Sequence, residues 1–114
     1  MARPCRQGGR IVRIVLAAGI ALLLAPPLAA RGDELGRKVF TQIAQPACAI
    51  CHTLKAAGAV GTVGPSLDEL RPDRARVMDA VKNGVGVMPP FAGKLTAEQI
   101  EAVVAFVAGA AGGQ

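Results

Sequence analysis

The sequence predicts an all-α domain of three to five helices, and three observations predict it. Apolar residues recur at helical spacing in stretches that begin near residues 33, 72 and 96. Ser66 to Glu69 and Thr96 to Gln99 both read as capping boxes, the reciprocal pattern of a helix start. No strand-like alternation extends beyond a few residues, and no internal repeat is present.

The first element of the chain is a leader rather than part of the fold. Arg3, Arg6, Arg10 and Arg13 precede an apolar run from Ile14 to Ala25, followed by Pro26-Pro27-Leu28-Ala29-Ala30. A basic front, a short apolar centre and small residues at the exit make residues 1–30 a secretory signal peptide. Cleavage is expected after Ala30, or after Gly32 if Ala30-Arg31-Gly32 is the small-x-small site. A membrane anchor needs about 20 apolar residues. This run has twelve and is ended by two prolines, so no transmembrane segment is expected after cleavage. Residues 31–114 then form one domain, expected in the periplasm.

In that domain Leu35, Val39, Phe40 and Ile43 predict a helix from Asp33 to about Ile43, with Asp33 and Glu34 at the end where the helix dipole favours acids. Pro46 ends it and leaves Cys48 to His52 on a separate turn. Ala56 to Pro65, with Gly58, Gly61 and Gly64, reads as a loop. The Ser66 capping box opens one short turn, and Pro72 stands at the first position of a helix to Asn83. Val77, Met78 and Val81 face inward there, and Gly84 stops the helix. A second loop from Gly84 to Gly93 is stiffened by Pro89 and Pro90. The last helix follows Thr96, lines one face with Ile100, Val103, Val104 and Val107, and fades at Gly109.

Cys48-Ala49-Ile50-Cys51-His52 carries the chemistry. C-x-x-C-H is the attachment signal for a c-type haem. Two sulfurs three residues apart on a turn can each form a thioether with one haem vinyl group, and the next residue is a neutral imidazole suited to iron. A thioredoxin-like redox pair would need a βαβ context that residues 40–70 do not supply. A structural zinc ion would need four protein ligands, and only two thiols and the single histidine of the chain are at hand.

Composition agrees with a cofactor-centred core. The full chain has net charge +5, yet residues 31–114 hold nine Lys and Arg against eight Asp and Glu, so the basic balance belongs mostly to the leader. Charge therefore gives nucleic acid no support as a partner. Cys5 leaves with the leader. Only Phe40, Phe91 and Phe106 are aromatic, little for a domain of 84 residues to bury, and a haem would supply the missing centre.

The second axial face of such an iron separates an electron carrier from a catalyst. Met88 lies 36 residues after His52 in the proline-stiffened loop. A thioether there favours Fe(II), raises the potential and keeps other ligands off the metal. Met78 is the competitor, but its spacing with Val77 and Val81 fits core packing better.

These residues resemble the small bacterial class I c-type cytochromes, over nearly all of Asp33 to Gly112. The resemblance rests on Cys48-Ala49-Ile50-Cys51-His52, Gly64-Pro65, Asn83-Gly84-Val85-Gly86-Val87-Met88-Pro89, Gly36-x-x-x-Phe40 and Val103-x-x-Phe106-Val107. It implies the class I cytochrome c fold, with the first and last helices crossing beside one covalently bound haem c. It implies Cys48 and Cys51 as thioether sites, His52 as proximal iron ligand and Met88 as distal ligand. It also implies that the Pro65 carbonyl accepts a hydrogen bond from the other ring nitrogen of His52. Many relatives hold a haem propionate with Trp or Tyr; this chain has neither, and Arg71, Lys55 and Lys94 are the candidates to replace them.

The function expected is that of a periplasmic single-haem electron carrier, not an enzyme. It would dock transiently to periplasmic or membrane-bound redox proteins through an apolar patch of Ala47, Ala49, Ile50, Val87, Pro89 and Pro90. Gly61 to Leu70 is similar to small cytochromes that accept electrons from sulfite dehydrogenases. That similarity implies the alternative of a dedicated haem subunit or acceptor of a larger periplasmic oxidoreductase. A peroxidase or ligand sensor is the enzymatic rival and requires an absent or labile distal methionine.

Overall fold

The structure is a computed structural model that describes residues 24–112. The expected leader falls mostly outside the described residues, as do positions 113 and 114. Among the described residues five α-helices occur in order: α1 (Leu28–Lys38), α2 (Cys48–Cys51), α3 (Leu67–Leu70), α4 (Arg74–Asn83) and α5 (Ala97–Ala111). Two strands of two residues each, β1 (Thr53–Leu54) and β2 (Ala59–Val60), pair antiparallel with Thr53 opposite Val60. The expected all-α architecture therefore stands, with one small hairpin whose second strand lies in the segment expected to be a loop.

Gly36 decides how α1 and α5 meet. A Cβ at this position would lie 2.4 Å from the Ala102 carbonyl oxygen and 2.4 Å from the Phe106 Cβ, so only hydrogen lets the two backbones come together. Phe40 and Phe106 pack edge to face beside the contact, with centroids 6.3 Å apart. The Arg37 guanidinium lies over the Phe106 ring, 5.6 Å from its centroid. Helix propensity alone would make alanine at position 36 stabilising by up to about 1 kcal/mol. Overpacking acts the other way, and we expect Gly36→Ala to destabilise the holoprotein by about 1–3 kcal/mol. A thermal melt reads the sign, and an unchanged or raised midpoint would show that the crossing has slack.

The first helix differs from expectation at both ends. It starts at Leu28, within the expected leader, and its opening turns through Gly32 are mostly exposed. Glu34 and Lys38 pair at 2.9 Å on the open face, and the ammonium holds the Glu34 carboxyl below the usual range. Beyond Lys38 the helix widens into a π-helical turn over Val39–Ile43, closed by Ala44 N–H donating to the Val39 carbonyl at 3.1 Å. Val39, Phe40 and Ala44 are buried there. Helical structure ends before Pro46, as expected.

The middle of the chain corrects two expected helix starts. Ser66 precedes α3 but makes no capping hydrogen bond through its side chain. The Asp68 carboxylate instead accepts from the Lys55 backbone N–H at 2.9 Å, tying α3 to the segment after α2. Pro72 is not the first residue of α4. Asp73 caps it, accepting from Arg76 N–H at 2.8 Å, because a carboxylate satisfies an orphan donor that proline leaves alone. Val77 and Val81 are buried as expected, Met78 only half-buried, and Gly84 stops α4 with φ 73°.

The last helix carries the largest share of the core. The capping box at Thr96 and Gln99 is complete in both directions. Ile100, Val103, Val104, Phe106 and Val107 are buried against α1 and α4. Gly109 does not end α5, which runs to Ala111 and closes on Gly112 in the left-handed region. Arg71, itself left-handed at φ 48°, reaches that end: its Nη2 donates to the Gly112 carbonyl at 3.2 Å. Arg74 pairs with Glu101 across the α4–α5 contact.

Candidate functional site

Cys48, Cys51 and His52 come together on one turn. Ala47 enters it extended, α2 occupies four residues, and His52 leaves extended with its N–H donating to the Cys48 carbonyl at 2.9 Å. Both thiols are free and half-buried. Burial pushes the Cys48 thiol up to about 11, so at neutral pH it is protonated before any bond forms at the sulfur. Among the described residues no three His, Cys, Asp or Glu side chains are grouped as a metal-binding set.

The His52 ring is held in one orientation and one tautomer. Its Nδ1 lies 2.8 Å from the Pro65 carbonyl oxygen. A carbonyl only accepts, so Nδ1 carries the proton and Nε2 keeps its lone pair for a metal. This is the contact the resemblance implied.

Two glycines make room for the arrangement. A Cβ at Gly64 would stand 2.5 Å from His52 Cε1, and one at Gly61 would stand 2.5 Å from the Ile50 carbonyl oxygen and 2.7 Å from His52 N. The Gly61–Pro65 stretch of chain therefore lies flat on the α2 turn. It is fixed there by Gly64 N–H donating to the Cys51 carbonyl at 2.7 Å and by the Thr53 hydroxyl donating to the Gly61 carbonyl at 2.9 Å. In the sequence Gly61 looks only like a flexible loop residue, and the roles of Thr53 and Asp68 leave no local pattern at all.

Met88 comes from another part of the chain. Val85 and Met88 exchange two backbone hydrogen bonds, 3.2 and 2.9 Å, across a turn of Gly86 and Val87. Positive φ is confined to Gly86 within that turn, at 58°, which suits the tight turn of a hairpin. Met88 is half-buried and packs on the core, but so does Met78 from α4. The structure joins Met88 to Val85 and to the close-lying Gly84, and by no backbone hydrogen bond to α2.

The residues present fit a haem c. Large apolar side chains stand uncovered in two stretches of chain: in and after the α2 turn Ile50 is 64% exposed, Val60 81% and Val63 70%, and in the turn before Met88 Val85 is 63% and Val87 91% exposed. Of the expected patch, Ile50, Val87 and Pro90 are exposed, and Ala47, Ala49 and Pro89 are half-buried. Of the three candidate propionate partners, Arg71 is turned to the end of α5 and Lys55 is tied to Asp68 through its backbone alone. Among the described residues no helix is long and apolar enough to cross a membrane.

Comparison with known proteins points the same way. The family described as cytochrome c oxidase, cbb3-type, subunit III matches residues 31–107. A cytochrome c6 from Rippkaea orientalis is 37% identical, with the alignment covering 76% of this chain and 78% of that protein. The crystal structure of the c-type cytochrome SorU from Sinorhizobium meliloti superposes with a TM-score of 0.69 at 52% identity, covering 73% of this chain and 94% of that one.

Proposed function

The chain belongs to the small class I c-type cytochromes, electron carriers with covalently bound haem c, and we propose that it is a periplasmic single-haem carrier of this kind whose iron is held between His52 and Met88. Cys48 and Cys51 are the thioether sites. The observation that carries this reading is the His52 ring, pinned through Nδ1 to Pro65 beside two free thiols, with Nε2 left to bind. When bound, the haem supplies a metal that takes up one electron and gives it back.

The protein's own part is to keep that exchange free of rearrangement. Two attachment points on one turn would hold the group in place, and the Pro65 carbonyl fixes the orientation and tautomer of the imidazole. Met88 supplies a soft sulfur that favours the reduced metal and denies the face to other ligands. Removal of the leader, after Ala30 or Gly32, releases the domain that follows it. With one net positive charge over residues 31–114, docking to a redox partner depends on the apolar patch more than on long-range attraction.

Gly64→Ala tests the imidazole part of the reading. The added methyl would stand 2.5 Å from His52 Cε1, so the ring and the Gly64 backbone must move apart and strain the hydrogen bond to Pro65. A ten-fold change in the ligand's preference between the two iron oxidation states moves a one-electron potential by about 59 mV. We therefore expect the potential of this variant to move by on the order of 50 mV in a redox titration, and an unmoved potential would contradict the role given to the ring.

The reading as a whole predicts a haem protein in the periplasmic fraction that titrates as a single one-electron couple. Haem-free protein in that fraction, or turnover of peroxide by the native form, would overturn it. The similarity of Gly61 to Leu70 to sulfite-dehydrogenase acceptors favours a second reading, a dedicated haem subunit or acceptor of such an oxidoreductase. Stoichiometric co-purification with a second chain would select it over a free shuttle.

A further inference from the structure

We propose that Phe91 is the positioning residue that keeps Met88 in place, and so decides whether the distal face is closed; the inference rests on Met88 being the distal ligand.

On its N-terminal side Met88 has weak support. The turn that presents it is held by the two hydrogen bonds to Val85, and its other members are exposed: Val85 63%, Val87 91%, and Gly86 open as well. Such a turn opens locally at little cost. On the C-terminal side stand Pro89 and Pro90, which have no N–H to donate and whose φ is fixed by their rings. They cannot anchor Met88 by backbone donation, but they form a stiff arm that transmits the position of residue 91 back to Met88.

Phe91 supplies the anchor. It is the first residue after Met88 whose side chain is buried, at 3% exposure, and whose N–H reaches the rest of the fold, donating to the Val81 carbonyl in the last turn of α4 at 2.8 Å. Its own carbonyl accepts from Lys94 and Leu95, both at 3.0 Å, which ties it to the entry of α5. The arm lies against the end of α4, where a Cβ on Gly84 would meet the Met88 carbonyl oxygen at 2.5 Å and Pro90 N at 2.9 Å. A buried ring, two rigid residues and the ligand thus form one lever with its fulcrum at Phe91.

Shortening the Phe91 side chain raises the fraction of molecules in which Met88 is away from the iron. An outside ligand binds in proportion to that open fraction. The experiment uses the ferric holoprotein and titrates imidazole, following loss of the sulfur-to-iron charge-transfer band. Val104→Ala, on α5 and fully buried, serves as a control for general loss of core packing. Phe91→Ala should bind imidazole at least ten-fold more tightly than the parent, a ratio equivalent to about 1.4 kcal/mol. Phe91→Leu should fall between the two, and Val104→Ala should match the parent although its melting midpoint drops. If Phe91→Ala yields no holoprotein, Phe91→Leu against Val104→Ala carries the same comparison.

Equal affinities in the Phe91 variants and Val104→Ala would overturn the inference. Met88→Ala separates its failure from failure of the ligand reading. If Met88→Ala opens the site and the Phe91 variants do not, only the lever is wrong. If Met88→Ala binds imidazole no better than the parent, the ligand assignment falls and the lever with it.

Discussion

Replacing Met88 with alanine should abolish the long-wavelength charge-transfer band of the ferric protein and lower its reduction potential by on the order of 100 mV, within the range of about 0.8 V that axial ligands span. The effect is large because the substitution removes the one soft donor proposed at the iron and leaves a coordination position to water or to added ligands. The same variant should bind carbon monoxide when reduced and should show peroxidase activity that the parent lacks. Met78→Ala is the matched control. Its spacing with Val77 and Val81 on α4 makes its loss a packing defect, so it should lower stability and leave the spectrum alone. A reversal, with Met78→Ala changing the spectrum and Met88→Ala silent, would reassign the distal ligand.

The second large effect concerns the fold. A Cys48→Ala/Cys51→Ala chain, which cannot form thioethers, should lose its cooperative melt and most of its native helical signal at room temperature. The described core has three aromatic side chains, Phe40, Phe91 and Phe106, with the rest supplied by aliphatic and alanine residues. Apolar side chains in and after the α2 turn, Ile50, Val60 and Val63, stand largely open. Small domains hold a margin of about 5–15 kcal/mol at most. Uncovering the faces that a porphyrin would shield exceeds what so small a core can absorb. Circular dichroism with thermal unfolding decides the matter, and a native-like cooperative transition in the double variant would show that the polypeptide packs without its cofactor.

Local pattern makes much of this molecule legible. The α5 capping box, the apolar stripe of Ile100, Val103, Val104 and Val107, and the stop at Gly84 are written in adjacent residues, and each occurs where the sequence predicts it. The C-x-x-C-H turn and its partner Pro65 are readable for the same reason, the second through family resemblance. The failures have a common physical origin in competition between neighbours. At α4 the expected start at Pro72 gives way to Asp73, whose carboxylate accepts a hydrogen bond that proline cannot. At α3, Ser66 and Glu69 fit a local capping box, but Ser66 makes no side-chain cap and the neighbouring Asp68 serves a backbone donor 13 residues away. Gly61 and Gly84 suggest flexibility and a helix stop, and their further importance lies in what crowds against them, which no window of sequence contains. Gly109 suggests a helix stop, but with Gly112 available three residues later the apolar face continues to Ala111.

Mass spectrometry of a tryptic digest shows whether haem is fastened to the Cys48–His52 turn. Cleavage after Lys38 and Lys55 releases one peptide, residues 39–55, that contains Cys48, Cys51 and His52. From protein matured in a host able to attach haem, that peptide should carry the added mass of one haem and absorb in the Soret region, with both thiols unreactive to alkylation. Recovery of the same peptide at the mass of its amino acids, with both cysteines open to alkylation, would contradict the assignment of this turn as the attachment site.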